Sequence, residues 1–159
     1  MRELSSSQFP LLLMVVAFYL ALPSGCAGLK KKPAVAVVDP FLAVSFSRCY
    51  DGDTCTATIP GVPAVFGAGI GIRLRGIDTP ELRGKCPLEK KLAIAARDRA
   101  RELVLLAEVV RLEDVGRGKY FRLVARIIAD GRDVSQVLLE EGHAVVYDGG
   151  TKVKDWCAP

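Results

Sequence analysis

Between Phe41 and Tyr147 the chain reads as short runs of β-branched and aromatic residues broken by glycine and proline. Only twice does that rhythm give way to a helical period. Residues 42–50 and 53–60 flank Gly52 and read as a hairpin, which Pro60-Gly61-Val62-Pro63 ends. "GAGIGIRLRGI" then leads into a third strand over about 70–77. Gly67, Gly69 and Gly71 do not make a dinucleotide fingerprint, because Ile72 and Leu74 fall where its last glycine belongs and no helix opens there. Pro87 suits a first helical turn, and a helix is expected from there to about Ala107. Leu88, Leu92, Ala95, Ala96, Leu103 and Leu106 are its expected apolar stripe, with Lys90, Lys91, Arg97 and Arg101 on a solvated face. Strands are expected near 109–114 and 120–129. A second helix starts at Asp133, with Gln136 completing a capping box and Gly142 as its stop, and "HAVVY" forms a last strand. The order β-β-β-α-β-β-α-β predicts an α+β, mainly β domain: a five-stranded Greek-key barrel of the OB type with two or three packed helices.

The N-terminus has a different character. Leu11–Leu22 is an unbroken apolar run behind Arg2, too short for a spanning helix of about 18 residues or more, and it fits the core of a signal peptide. A membrane anchor is the rival. Ser24-Gly25-Cys26 resembles the lipobox of bacterial lipoproteins, although Pro23 stands where leucine is usual. Cys26 is therefore a candidate lipidation site, against plain soluble export. The expected organisation is a signal peptide over 1–25, a tether over 26–40 and one domain over 41–159. The expected destination is secreted, periplasmic or lipid-anchored at the outer face of a bacterial membrane. With 159 residues and half of them hydrophobic, the chain has apolar mass for one core. Its net charge of +4 favours anionic partners such as nucleic acid or a membrane surface.

Two stretches concentrate reactive side chains: "DGDT" at 51–54 and "RLRGIDTPE" at 73–81. Asp53, Asp78 and Glu81 are carboxylates at or near strand ends, and Pro80 stiffens the turn between the last two. Hard carboxylate oxygens suit Ca²⁺ or Mg²⁺, and a carboxylate outside the metal's ligands can activate water. Arg73 and Arg75 share one strand face, and "GKYFRL" adds Lys119, Tyr120 and Arg122. Carboxylates, a hard metal and separated arginines suit phosphodiester hydrolysis, where positive groups neutralise charge building on phosphate oxygens. Each piece has a plainer reading: Asp51-Gly52 as a turn, Asp78–Glu81 as a helix cap. The single histidine, His143, rules out paired-histidine nucleases and two-histidine zinc sites, and reads as structural.

"YDGDT", "IRLRGIDTPE", "GKYFRL" and "DGRDVSQVLLEEGHAVVY", in that order and spacing, resemble the staphylococcal nuclease (thermonuclease) family over roughly residues 42–148. The resemblance implies an OB barrel and Ca²⁺-dependent hydrolysis of DNA and RNA that leaves 3′-phosphate ends, with no obligate protein partner. It places Ca²⁺ on the carboxylates of Asp53 and Asp78 and the backbone carbonyl of Thr79, with Asp51 beside Asp53. It makes Glu81 the general base or water-positioning group, Arg73 and Arg122 the phosphate clamp, and Lys119 and Tyr120 contacts to a neighbouring phosphate or sugar. Arg75 is the alternative to Arg73. The family's type member has a further helix and nucleotide-holding tyrosines, of which only Tyr147 has a counterpart here, either stacking on a base or simply packing. A non-catalytic OB module binding nucleic acid or protein, and a phosphodiesterase of small nucleotides, are the competing functions.

In an oxidising compartment Cys49, Cys55, Cys86 and Cys157 form an even set. Cys49 and Cys55 would face each other across a hairpin centred on Gly52, and a Cys86–Cys157 bond would pin the tail to the barrel. A four-cysteine zinc site is the rival, with looser spacing than such sites use.

Overall fold

In a computed structural model of the chain, residues 39–158 are described. The 1–25 leader, Cys26 and most of the 26–40 segment lie outside them. β1 (Ser45–Cys49) and β2 (Thr54–Thr58) form the hairpin around Gly52, with Cys49 opposite Cys55. Where a simple break is expected after Pro60, a one-turn helix, α1 (Ala64–Gly67), closes on the Pro63 carbonyl, which accepts from Phe66 and Gly67. The third expected strand divides in two. β3 (Ile70–Leu74) pairs with β2, the chain turns at Gly76 with φ +82°, and β4 (Ile77–Asp78) leaves the sheet. The remaining elements are α2 (Pro87–Leu105), β5 (Val110–Arg117), β6 (Leu123–Ala129), β7 (Arg132–Asp133), α3 (Val134–Glu140) and β8 (Val145–Val146).

The main sheet runs β1-β2-β3-β6-β5, with β7 on β6. The β3–β6 pair is parallel and its neighbours are antiparallel. The sheet curls toward closure through its two ends: the Val44 N–H donates to the Val110 carbonyl at 2.9 Å and the Leu112 N–H to the Phe41 carbonyl at 2.8 Å. This is the expected OB-like arrangement. Inside it lie the fully buried Ile72, Leu74, Ile77, Ile127 and Leu138. β4 and β8 form a separate antiparallel ladder, Ile77 opposite Val146 and Asp78 opposite Val145.

Three local expectations are corrected. β6 starts at Leu123, not residue 120, because Tyr120 and Phe121 take left-handed φ of 56° and 57°, which no strand admits. On α2 the buried face is Glu89, Ala93, Ala96, Ala100 and Val104, while Leu88, Ala95 and Leu106 are exposed. Alanines let the helix axis approach the sheet closely, so the small residues face inward and the leucines flank them. Asp133 caps α3 by accepting the Ser135 N–H at 2.9 Å, but Gln136 turns to Glu140 instead of completing a box. The structure bonds Cys49 to Cys55 and Cys86 to Cys157, which leaves no thiol for a four-cysteine zinc site. In loop-entropy terms the second, spanning 71 positions, constrains the unfolded chain by about 4 kcal/mol against about 2 for the first. No described helix is long and apolar enough to cross a membrane.

Candidate active site

Four elements converge on one acidic cluster. The β1–β2 turn supplies Asp51 and Asp53, both buried. β4 ends at Asp78, followed by buried Thr79 and Pro80, and this turn presses on the β1–β2 turn. Gly52 makes the contact possible: a Cβ there would lie 2.8 Å from Ala96 Cβ and 2.9 Å from Thr79 Cγ2. Gly52 is thus required by close approach to α2 and the Asp78 turn, and not merely by a hairpin bend. Asp53 accepts from Thr54 Oγ1 at 2.9 Å and from Arg73 at 2.5 Å, while its own N–H donates to Asp51 at 3.2 Å. Arg73 also reaches toward Asp78 at 3.6 Å and packs over the Tyr147 ring at 5.8 Å. Burial, then the charge of Asp51, push the Asp53 carboxyl up to about 7, more than Arg73 pulls it down.

Asp78 Oδ1 is buried, and two cationic groups approach it, the Lys152 ammonium and the Arg73 guanidinium. Lys152 Nζ forms an ion pair with it at 2.7 Å and donates to Glu81 Oε1 at 2.5 Å. Burial draws the Lys152 ammonium down, but the Asp78 and Glu81 carboxylates outweigh this and hold its pKa above the ordinary lysine value. Glu81 itself is half exposed. Two buried carboxyls, Asp78 beside an ammonium and Asp53 kept high by burial and like charge, form an acidic cluster whose hard oxygens suit a divalent cation.

Beside this cluster, reached through Asp51 and Arg73, opens a cleft of about 1030 Å³. Arg73, Glu81, Lys119, Tyr120, Arg122 and Tyr147 all line it. Arg122 packs over Tyr120 at 5.5 Å, and its stem covers Gly71, where a Cβ would lie 3.0 Å from Arg122 Cγ. Arg75 is spoken for, since its guanidinium donates to the Asp114 carbonyl at 2.6 Å and the Val124 carbonyl at 3.3 Å. Arg75 lies in the turn after β3 and not on the strand, so of the two arginines Arg73 is the one joined to the carboxylates. Tyr147 donates its hydroxyl to the Gly150 carbonyl at 2.7 Å. His143 lies ahead of β8, 3.9 Å from Glu141 and outside this cleft.

A family model described as "Staphylococcal nuclease homologue" matches residues 71–155, which is more than half of the chain. The chain belongs to the staphylococcal nuclease family. Two curated relatives from Bacillus subtilis (strain 168) are similar to it. The SPbeta prophage-derived endonuclease YokF is 34% identical over 117 residues, covering 70% of this chain and 38% of that protein. Endonuclease YncB is 32% identical over 117 residues, covering 70% of this chain and 53% of that protein. The chain thus spans 38% to 53% of the length of these relatives. The staphylococcal nuclease match begins after Asp51 and Asp53, so it is the fold that adds those two residues to the cluster.

Two residues of this staphylococcal nuclease domain escape sequence reasoning. Glu89, buried on α2, accepts the Lys85 N–H at 2.7 Å and the Glu81 N–H at 3.4 Å, holding the loop that carries Glu81. The Cys86 N-cap three residues before an acidic residue resembles a capping box and could have flagged it. Lys152 had no such signal, because it lies 71 positions from Glu81 in a segment without secondary structure.

Proposed function

We propose that the protein is an exported, Ca²⁺-dependent nuclease that hydrolyses phosphodiester bonds of DNA and RNA and leaves 3′-phosphate ends. The observation that supports this reading best is the pair of buried carboxylates, Asp53 and Asp78, both reached by Arg73, which with Glu81 and Arg122 also lines the adjoining cleft. Asp53, Asp78 and the Thr79 carbonyl would hold the ion, with Asp51 orienting the Asp53 turn. Held there, the ion would supply positive charge to the phosphate oxygens. Glu81, outside that set and half exposed, takes a proton from water as the water oxygen attacks phosphorus. The bond from phosphorus to the 5′ oxygen breaks, that oxygen takes a proton from solvent to leave as a hydroxyl, and the phosphate remains on the 3′ side. Arg73 and Arg122 hold the charge that builds on the phosphate oxygens. Lys119 and Tyr120, exposed at the cleft rim, contact the neighbouring phosphate or sugar, and Tyr147 offers the ring face left free by Arg73 to a base. Two disulfides accord with an oxidising compartment, reached through the apolar leader and, if Cys26 is acylated, with attachment to a membrane.

Single-stranded DNA incubated with the protein, with Ca²⁺ or a chelator, tests this directly beside Glu81→Gln. Cleavage is expected only with Ca²⁺, and Glu81→Gln is expected to lower kcat by about 10²- to 10⁴-fold. Binding without cleavage would make the domain a non-catalytic module instead.

A further inference from the structure

The family resemblance gives Lys152 no role, yet its ammonium contacts two of the site's carboxylates at once. Its Nζ stands 2.7 Å from Asp78 Oδ1 and 2.5 Å from Glu81 Oε1, one a proposed ion ligand and the other the proposed base. The segment around it, residues 151–155, is neither helix nor strand. The β4–β8 ladder anchors it on one side and the Cys86–Cys157 bond on the other, the far end of that bond capping α2 just beyond the Glu81 loop. The tail and that loop therefore close a short ring with the ammonium on the carboxylates.

We propose that Lys152 is a tethered internal cation that occupies the acidic cluster until a divalent ion displaces it, so that the Cys86–Cys157 bond sets how much Ca²⁺ the site requires. This rests on the ion-dependent reading above. The ammonium repels a second cation brought to the same carboxylate, so ion binding and the Lys152 contact oppose each other. A tether raises the local concentration of the ammonium far above that of a free chain end. Opening the disulfide lowers that concentration without altering Asp53, Asp78 or Glu81, although it removes the Cys157 contact to Glu89 at 3.8 Å. Glu81 is also released when Lys152 leaves, so the step that admits the ion is the step that frees the base.

Calorimetric titration with Ca²⁺ at fixed ionic strength tests this on the whole protein, using wild type, Lys152→Met and Cys86→Ser/Cys157→Ser. Lys152→Met is expected to bind Ca²⁺ about three- to tenfold more tightly, the size of one partly buried ion pair. The double serine variant is expected to shift the same way by less, and to add nothing when combined with Lys152→Met. Lys152→Arg, which keeps the charge, is expected to stay within about twofold of wild type. Equal or weaker binding by Lys152→Met overturns the inference, and it does so even if wild type cuts DNA and Glu81→Gln does not. Wild type that neither binds Ca²⁺ nor cuts overturns the nuclease reading, and the inference with it.

Discussion

Gly52 shows how one missing side chain shapes the site. The cluster needs two turns from opposite ends of the β1-to-β4 segment to touch, and only a residue without a Cβ fits between Thr79 and Ala96. Gly52→Ala must move backbone or helix, since both atoms it meets lie close to the main chain. We expect it to destabilise the fold by about 1–3 kcal/mol, checked by urea denaturation, and to weaken Ca²⁺ binding more than an alanine elsewhere in the hairpin. Gly84 is a parallel case, because a Cβ there would lie 2.5 Å from Glu89 Cδ and drive that carboxylate off the loop it holds.

At the scale of elements, the β1–β2 hairpin is the part of the site most fully held by covalent chemistry. Cys49 and Cys55 are register partners on either side of the turn that carries Asp51 and Asp53. Cys49→Ser/Cys55→Ser should weaken Ca²⁺ binding while the Cys86–Cys157 variant strengthens it. Calorimetry on both, with the other bond intact, would show whether the two disulfides act in opposite directions. The hairpin was legible in the sequence because a turn residue sat midway between two cysteines in strand-like runs. α3 was legible from Asp133 and Gly142, its cap and its stop at φ +75°. The inward face of α2 was not, since a period argument selects the largest apolar residues, whereas helix-to-sheet distance here selected alanines. The division of the third strand into β3 and β4 was hidden for a related reason. Gly76 breaks the strand only because β8, about 70 positions later, takes Ile77 and Asp78 as partners.

Across the whole molecule, the acidic cluster links stability to pH and to the ion. Asp53 binds its proton more tightly folded than unfolded, about 7 against 3.8. Its contribution to stability is therefore complete below pH 3.8 and is lost as pH rises through 7. Without a cation, this group makes the protein less stable at pH 8 than at pH 5. Ca²⁺ binds the ionised carboxylate, so the rise in Tm on adding Ca²⁺ should be larger at pH 8 than at pH 5. Differential scanning calorimetry at both pH values decides it, and an equal rise would remove Asp53 from the ion site. The parallel pairing of β3 with β6 has a consequence of its own for how this chain is made. Ile72 has to wait for Leu123, and Phe41 for Leu112, before the curled sheet has its sides. A chain emerging from a ribosome or pore with its N-terminus leading can form the hairpin at once. It stays open along β3 until β6 appears, and that interval exposes it to mispairing and aggregation.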